Sequence, residues 1–236
     1  ILEYDFDGNE IGRFSFWENL KYFKKFHKKL ELDLPKFFLF PELVKKKEKT
    51  PWGGNYDYYR LNSIQKIPSN DREKEHKLFE RGNFLISFRH GSMIFILDKD
   101  KKVIWKAIYN DIPGNIEGPH SPSMLKNGNI LIFDNGRYRG YSRVIEIDPV
   151  TYEIKWEFRK EGFFTLSQGN AERLSNGNTL ITESEKGHAF EVTKEKEIVW
   201  EFYHPEKQNE KNSKYPKNYG KRQWIYKMVK GGGIFL

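Results

Sequence analysis

The stretch that decides the fold is residues 128–156, GNILIFDNGRYRGYSRVIEIDPVTYEIKW. It follows a hairpin dipeptide, Asn127-Gly128, in which both residues tolerate a positive φ. Short runs of apolar and β-branched residues come next, separated by a second turn at residues 148–151, and the last run ends in Trp156. This order of turns and runs predicts consecutive antiparallel strands.

The same order of turn, strand, turn and tryptophan occurs three times, at residues 82–105, 128–156 and 177–200. The tryptophans that end these units are 51 and 44 residues apart, which is close to the length of a four-stranded propeller blade. One such unit cannot bury both faces of its sheet, but stacked units can. The repeat therefore predicts an all-β fold, a β-propeller of four-stranded antiparallel blades.

Partial units flank the repeat. Residues 1–11 have the pattern of the last two strands of a blade, and residues 223–229 that of a first strand. Together they would complete about four blades in this chain; an incomplete larger propeller with further blades upstream fits the pattern equally well. We expect a single β-propeller domain over residues 1–230, with residues 231–236 as a flexible tail.

Residues 15–50 interrupt the strand pattern and predict a helical, basic insertion. They hold ten lysines against five acidic residues, and so supply five of the eight excess positive charges. Apolar residues recur there at helical spacing: Trp17, Leu20, Phe23, Phe26 and Leu30. Packing against the side of the propeller is one interpretation. A helix on a membrane surface, which would make the chain an anchored scaffold, is the other.

Composition excludes several classes of site. The chain has no cysteine, which excludes disulfides, thiolate metal sites and a cysteine nucleophile. The apolar runs are too short to cross a membrane, so we expect no integral membrane segment. Charges in the repeats are nearly balanced, and we expect no nucleic acid partner. No glycine loop that would cradle a phosphate is visible, and no carboxylate recurs beside a histidine, so we expect no metal and no cofactor.

The candidate site residues come from the loops before each first strand and after each second strand, because loops at one end of a propeller converge on its central channel. Counting back from the Asn-Gly turns aligns His120 with Gly169. The two loop sets together predict a cationic, hydrogen-bonding ring suited to an oxyanion such as a sulfate, phosphate or carboxylate. Its members are Arg60, Asn62, Arg89, His90, His120, Asn135, Arg139, Arg143, Gln168 and Asn170.

These residues occur in stretches that resemble the arylsulfotransferase family of propellers. The similarity covers about residues 1 to 205, apart from the basic insertion. The most specific motif is Ser167-Gln168-Gly169-Asn170, followed by Asn176-Gly177-Asn178-Thr179-Leu180. The other similar stretches are residues 57–63 (DYYRLNS), 87–90 (SFRH), the Trp105 strand, His120 with 133–136 (FDNG), and Ser142-Arg143.

The resemblance implies a reaction, the transfer of a sulfuryl group from a phenolic sulfate ester to a phenol without a nucleotide sulfate donor. In this family a channel histidine becomes transiently sulfated. His120 matches a family channel histidine and would act as nucleophile or general base, with His90 as its partner. Asn62 and either Arg139 or Arg143 match the polar residues that hold the sulfate. The resemblance thus implies a small-molecule aryl sulfate as substrate and a periplasmic or secreted location.

The chain departs from the family pattern at two loops. Arg60 stands where the family usually has a histidine, and Gln168-Gly169-Asn170 occupies the corresponding loop of the third unit. An arginine stays protonated and cannot act as a nucleophile or base, although it can bind an anion. Two functions therefore remain open: a sulfotransferase, and a non-catalytic propeller that binds an anionic ligand or a protein partner. The sequence does not determine the oligomeric state.

Overall fold

The computed structural model describes residues 1–16, 18–19, 60–207 and 222–230. The chain divides into two compact units, residues 1–58 and 59–236, and each is described by itself. The predicted helical insertion at 15–50 and the predicted tail at 231–236 lie almost entirely outside the described residues. A single domain over residues 1–230 stays a prediction.

The first unit contains an antiparallel hairpin of two strands, β1 (Leu2–Tyr4) and β2 (Glu10–Arg13). Its turn is held by the Asp5 carboxylate, which accepts hydrogen bonds from the backbone N–H groups of Asp7 and Asn9. Such side-chain contacts to the following backbone are typical of aspartate in turns. The sequence prediction of two strands joined by a turn in residues 1–11 is confirmed as a hairpin.

The described residues of the second unit form three antiparallel sheets of four strands each, and in every sheet the strands follow chain order. Each sheet is a blade, and the β-propeller prediction is confirmed. Blade one is β3 (Leu61–Lys66), β4 (Phe84–Phe88), β5 (Met93–Leu97) and β6 (Val103–Ile108). Blade two is β7 (His120–Met124), β8 (Ile130–Asp134), β9 (Arg143–Ile147) and β10 (Ile154–Phe158). Blade three is β11 (Asn170–Arg173), β12 (Thr179–Glu183), β13 (His188–Val192) and β14 (Ile198–Tyr203).

The core lies between consecutive blades, because the strands in the middle of each blade are apolar on both faces. Ile130 and Ile132 of β8 pack in a cluster with blade one, whereas Leu131 and Phe133 pack with blade three. Alternate residues of a strand point to opposite faces, so one strand serves two interfaces. The first strands β3, β7 and β11 lie beside one another in that order. The loops that precede them are thereby brought together.

The tryptophan of each of the first two blades contacts the next blade. The Nε1–H group of Trp105 donates to the carbonyl of Pro149 at 2.6 Å, and that of Trp156 donates to the carbonyl of Lys194 at 2.9 Å. Both carbonyls belong to the turn between the third and fourth strands of the following blade. Trp200 ends the third unit and is 44% exposed. The repeated tryptophan is therefore a residue of the contact between blades.

A buried glutamate on the third strand of blades two and three also makes contacts beyond its own blade. Glu146 accepts hydrogen bonds from two asparagines of its own blade and from Arg173 of blade three. Glu191 accepts from two asparagines in the same way and from Lys230. Lys230 thus takes the place that Arg173 has one blade earlier.

Residues 223–229 were predicted to form a first strand, and the structure shows no strand there. This segment instead follows β12 through scattered contacts. The N–H group of Met228 donates to the Thr182 hydroxyl, and the Tyr226 carbonyl accepts from the Ser184 hydroxyl. The N–H group of Ile225 also donates to the Ser184 carbonyl at 3.2 Å, but these isolated contacts do not form the continuous backbone ladder of a first strand.

Candidate functional site

The register of the first strands differs by one residue from the alignment that the Asn-Gly turns suggested. His120 lies opposite Phe133, the fourth residue of β8, and Asn170 lies opposite Thr182, the fourth residue of β12. His120 therefore corresponds to Asn170, and the alignment of His120 with Gly169 was wrong. The cause is a β-bulge between His120 and Ser123, which inserts one extra residue in β7 and has no counterpart in β11.

Left-handed backbone conformations mark all three first strands. Arg60 has φ 50° just before β3, Ser121 has φ 48° in the bulge of β7, and Gln168 has φ 65° just before β11. These are not glycines, so each conformation has a cost that the surroundings must offset. Backbone strain of this kind is common at functional sites, and here it falls on two of the predicted site residues.

His120 is buried, with 8% of its surface exposed, and both ring nitrogens have partners. Nδ1 lies 2.6 Å from Oδ1 of Asn135 and 3.0 Å from the carbonyl of Gly118. On the other side of the ring, Nε2 accepts a hydrogen bond from the backbone N–H group of Gln168 at 3.2 Å. The imidazole is therefore held between blade two and the loop that leads into blade three.

Asn135 determines which nitrogen of His120 carries the proton. Its Nδ2 group donates to the carbonyls of Thr165 and Gln168, at 2.8 and 2.7 Å, so its Oδ1 atom must be the group that faces Nδ1. An oxygen acceptor requires a donor, and Nδ1 therefore carries the proton while Nε2 holds the lone pair. The turn after Asn135 is fixed as well, because Gly136 has φ 67° and a Cβ there would lie 1.8 Å from the Tyr141 carbonyl oxygen.

The surroundings keep His120 neutral. Burial lowers the pKa of His120 to about 4, and the positive charges of Arg89 and Arg60 act in the same direction. The hydrogen bonds to Gly118 and Asn135 oppose this shift and are too weak to cancel it. A neutral imidazole with a defined lone pair is the form in which histidine acts as a nucleophile.

Beside His120 lie two arginines that we call the open arginine cluster, Arg89 and Arg137, and the charge of Arg60 acts on both His120 and Arg89. The stems of Arg89 and Arg137 flank Gly118, at 3.7 and 3.2 Å from the position that a Cβ would take there. Burial lowers the pKa of Arg89 to about 10, and repulsion from Arg137 and Arg60 adds to the effect. Arg89 remains charged at neutral pH, so the cluster concentrates positive charge next to the histidine.

The donors of this cluster are only partly used. Arg89 donates from Nη2 to the Leu166 carbonyl at 3.2 Å, and its Nη1 lies 3.3 Å from Nε2 of His90. Within the described ranges, Nε of Arg89 and both Nε and Nη1 of Arg137 are buried without a hydrogen-bond acceptor. Buried donors without acceptors are costly and suit a site that binds an anion.

Arg139 and Arg143, also predicted as anion-binding residues, are placed differently. Both contact the carboxylate of the fully buried Asp134, at 2.8 and 2.9 Å. Arg143 donates in addition to the carbonyls of Pro113 and Asn115. Their charge is largely compensated, and their visible role is to hold the loop that precedes β7.

The remaining predicted residues support this arrangement or lie at its edge. Asn62 donates to the Pro119 carbonyl at 2.7 Å, next to His120. Asn170 is buried at the start of β11. His90 contacts Arg89. The structure thus brings His120, Asn135, Arg89 and Gln168 into direct or shared contact.

Arg137 is the site residue that sequence reasoning missed. It stands two positions before Arg139 in Arg137-Tyr138-Arg139, and nothing in that spacing distinguishes the two. Glu117 gives the two arginines different positions. Its carboxylate accepts hydrogen bonds from the N–H groups of both Tyr138 and Arg139 and so fixes the path of the loop. The sequence offered one signal for this, an acidic residue, Glu117, directly before Gly118-Pro119-His120.

Two further properties concern metals and membranes. In the portions of the chain with described coordinates, no group of three or more histidine and carboxylate side chains is arranged to hold a metal ion. No helix in these portions is long and apolar enough to span a bilayer.

Solved structures similar to this chain are remote. A protein of unknown function from Bacteroides caccae is 17% identical, with a TM-score of 0.38 over 51% of this chain and 42% of its own. A catalytically inactive virginiamycin B lyase from Staphylococcus aureus, solved with quinupristin, is 14% identical, with a TM-score of 0.43 over 63% and 42%. The WD40 β-propeller domain of Doa1 is 13% identical, with a TM-score of 0.44 over 61% and 41%. The chain thus spans less than half the length of each.

Family membership rests on the sequence comparison. No curated protein matches the chain. The family described as Arylsulfotransferase (ASST) matches residues 42–205, which include the three blades, His120 and the open arginine cluster. This chain belongs to the arylsulfotransferase family of β-propellers.

Proposed function

We propose that this protein transfers a sulfuryl group from a phenolic sulfate ester to a phenol, with Nε2 of His120 as the nucleophile. The observation that carries the proposal is the contact between Asn135 and His120. It gives a neutral imidazole whose lone pair is on Nε2, beside arginine donors that lack acceptors. Family membership supplies the reaction class, and this geometry supports it.

The first half-reaction forms a covalent intermediate. The Nε2 lone pair attacks the sulfur atom, the N–S bond forms, and the S–O bond to the aryl group breaks as the phenolate leaves with the electron pair. The ring keeps its proton on Nδ1 and becomes a sulfo-imidazolium, whose Nδ1–H group still donates to Oδ1 of Asn135. Arg89 and Arg137 would stabilise the charge that develops on the sulfuryl oxygens.

The second half-reaction returns the enzyme to its starting state. An acceptor phenol loses its proton to solvent and attacks the sulfur as a phenolate. The new O–S bond forms while the N–S bond breaks, and its electron pair returns to Nε2. Before the first step the Gln168 N–H group must leave Nε2, because it occupies the lone pair that reacts.

A second function, anion binding without transfer, is favoured by one observation. The contact from Gln168 to Nε2 blocks the nucleophile, and Arg60 replaces the histidine that the family usually has. In this case the open arginine cluster binds a sulfate or another oxyanion, and His120 serves only as a neutral hydrogen-bonding group.

One assay separates the two functions. The protein is incubated with 4-nitrophenyl sulfate and a phenol acceptor, and nitrophenolate release is followed. We expect turnover in the wild type, loss of at least about a hundredfold in His120→Ala, and no loss in the matched control His204→Ala, a half-buried histidine just after β14. Equal rates in the wild type and His120→Ala would exclude the transfer mechanism. Calorimetric titration with sulfate then tests the binding function, and no binding would exclude that too.

A further inference from the structure

The loop that covers His120, residues 163–169, has two sides, and the first faces the proposed site. Its Gln168 N–H group donates to Nε2 of His120, and its Thr165 and Gln168 carbonyls accept from Asn135. Its Leu166 carbonyl accepts from Arg89. The position of this covering loop therefore sets both the access to Nε2 and one of the contacts of the open arginine cluster.

The other side of the covering loop is held by three consecutive residues of blade three. The Phe164 N–H group donates to Glu183 at 3.0 Å, and the Leu166 N–H group to Glu185 at 3.1 Å. The Ser184 hydroxyl accepts from the N–H group of Gly169. Glu183 and Ser184 are both buried, and Glu183 is the buried acid of this set, with 1% of its surface exposed.

Glu183 stays charged in the interior because His188 pairs with it. Nδ1 of His188 lies 3.0 Å from Glu183 and Nε2 lies 3.1 Å from Glu201, while its ring stacks on Tyr203 at 4.2 Å. Lys186 also contacts Glu183. Although burial raises the pKa of Glu183, the hydrogen bonds from His188 and Lys186 outweigh it and hold the value below its ordinary range.

Blade two contains an equivalent pair of acid and base at the corresponding position, where its second strand ends and its third strand begins. Asp134 and Arg143 are cross-strand neighbours at the ends of the second and third strands, as Glu183 and His188 are in blade three. Asp134 accepts the N–H group of Glu117, in the loop before β7, at 2.7 Å. In blade two a short acid meets a long base, and in blade three a long acid meets a short base. The combined length is similar, and both pairs hold the loop that precedes a first strand.

We infer that Glu183 and His188 form a positioning pair for the proposed reaction, a pair that fixes the covering loop over His120 and is equivalent to Asp134 and Arg143. The inference rests on the proposed function for its role, although not for its geometry. Neither residue touches the reacting atoms. Their effect passes through the backbone of Phe164 to Leu166 and Gln168.

The test replaces the acid and base of blade three with those of blade two. The variants are Glu183→Asp, His188→Arg and the double variant, which places the pair of blade two in blade three, and amide hydrogen exchange of peptides covering residues 163–169 is measured on the full chain. Each single variant has the wrong combined length, so we expect loop exchange about tenfold faster than in the wild type. The double variant should return it to within about twofold, because acid and base again meet. The matched control Glu153→Ala removes an exposed acid that pairs with Lys155 and should leave the loop unchanged.

Two results would overturn the inference: wild-type loop exchange in both single variants, or a double variant no better than the singles. If a single variant fails to fold, seen as fast exchange in β8, His188→Phe replaces it, since it keeps a ring to stack on Tyr203 and removes the donors for Glu183. In that variant unchanged loop exchange with protected β8 counts against the pair.

A kinetic readout links the pair to the site. We expect each single variant to raise the KM for 4-nitrophenyl sulfate about fivefold, since Arg89 loses its Leu166 contact, with a smaller change in kcat. Hydrogen exchange needs no substrate, so the two proposals fail separately. If the protein shows no turnover but the double variant restores slow loop exchange, only the proposed function is excluded. If the protein shows turnover but the single variants leave loop exchange unchanged, only the positioning pair is excluded.

Discussion

Two pairs of arginines near His120 differ in whether a carboxylate compensates their positive charge. Arg139 and Arg143 share the buried carboxylate of Asp134. Arg89 and Arg137 form no ion pair with any residue in the described ranges, and three of their nitrogens are buried donors without acceptors. The charge of the first pair is compensated by a carboxylate, although Nε of Arg139 is also a buried donor without an acceptor. The second pair has no such carboxylate and leaves more of its donors unused.

The difference indicates that charge alone does not identify a binding residue. A buried arginine that has a carboxylate stabilises the fold and attracts anions weakly, since its field is neutralised nearby. An arginine without one destabilises the fold, and an anionic ligand removes that cost. The charges that lower the pKa of His120, after burial, come from Arg89 and Arg60. Arg89, a member of the uncompensated pair, is therefore coupled to the reactive residue.

The largest expected effect is on stability, in Asp134→Ala. This change removes the buried carboxylate that both guanidinium groups share and leaves Arg143 only its longer contact with Glu157 at 3.7 Å. We expect the free energy of unfolding to fall by about 3 to 5 kcal/mol. Urea unfolding followed by far-UV circular dichroism measures it. The contrasting variant Arg137→Leu removes an uncompensated charge and should lose less than about 1 kcal/mol. Equal losses in the two variants would contradict the distinction between the pairs.

A second prediction concerns acid. The pKa of His120 is about 4 in the folded chain and 6.5 is its ordinary value, so the unfolded chain binds more protons between these values. The contribution of His120 to stability is complete above pH 6.5 and declines as the pH falls toward 4, by about 3 kcal/mol in all. Urea midpoints at pH 7.5, 5.5 and 4.5 measure the decline.

Two variants relate this acid sensitivity to the arginine pairs. His120→Gln does not titrate and should remove this part of the pH dependence. Arg89→Leu should reduce it, because one of the charges that oppose protonation is lost, while Arg139→Lys should leave it unchanged. A pH dependence identical in His120→Gln and the wild type would show that His120 is not its source.

The third prediction concerns sulfate affinity. Arg137→Leu and Arg89→Leu each remove a charged donor that lacks a full set of acceptors, and the dissociation constant for sulfate should rise about tenfold to a hundredfold. Calorimetric titration at low and moderate salt checks this, with Arg159→Leu, an exposed arginine after β10, as the control. Unchanged affinity in both cluster variants would mean that the anion binds elsewhere.

The smallest expected effect is that of Arg139→Lys. Lysine keeps the charge near Asp134 but lacks the planar fork that contacts the Asp134 carboxylate and backbone carbonyls, so we expect a loss of about 1 kcal/mol. Sulfate affinity should not change. A fall in affinity comparable to that of Arg137→Leu would place Arg139 in the binding group, as the sequence predicted.

Much of the fold followed from the sequence because its signals are local. The Asn-Gly turns and alternating apolar runs predicted the strands of all three blades. The register of His120 was off by one, because a bulge at Ser121 changes the count and leaves no mark in composition. The prediction of a strand at residues 223–229 was wrong: its pattern resembles a first strand, but it contacts Thr182 and Ser184 through isolated hydrogen bonds, most of them to side chains, and not through a continuous ladder.

The site was predictable only in part. His120 and Asn135 stood out because a histidine and an Asn-Gly turn are rare enough to compare between blades. The partners of the arginines did not stand out, since they depend on where Asp134 and Glu117 point after folding. Cross-strand pairing of Glu183 with His188 also became visible only in the register of β12 and β13.

The contact of each tryptophan with the following blade has a consequence for spectroscopy. Trp105 and Trp156 are buried and donate to a carbonyl, so their fluorescence should lie at shorter wavelength and resist quenching by acrylamide. Trp200 is 44% exposed and should be quenched readily. Single replacements by phenylalanine would then assign one emission component to each junction, and the order in which they shift during denaturation would show which junction opens first.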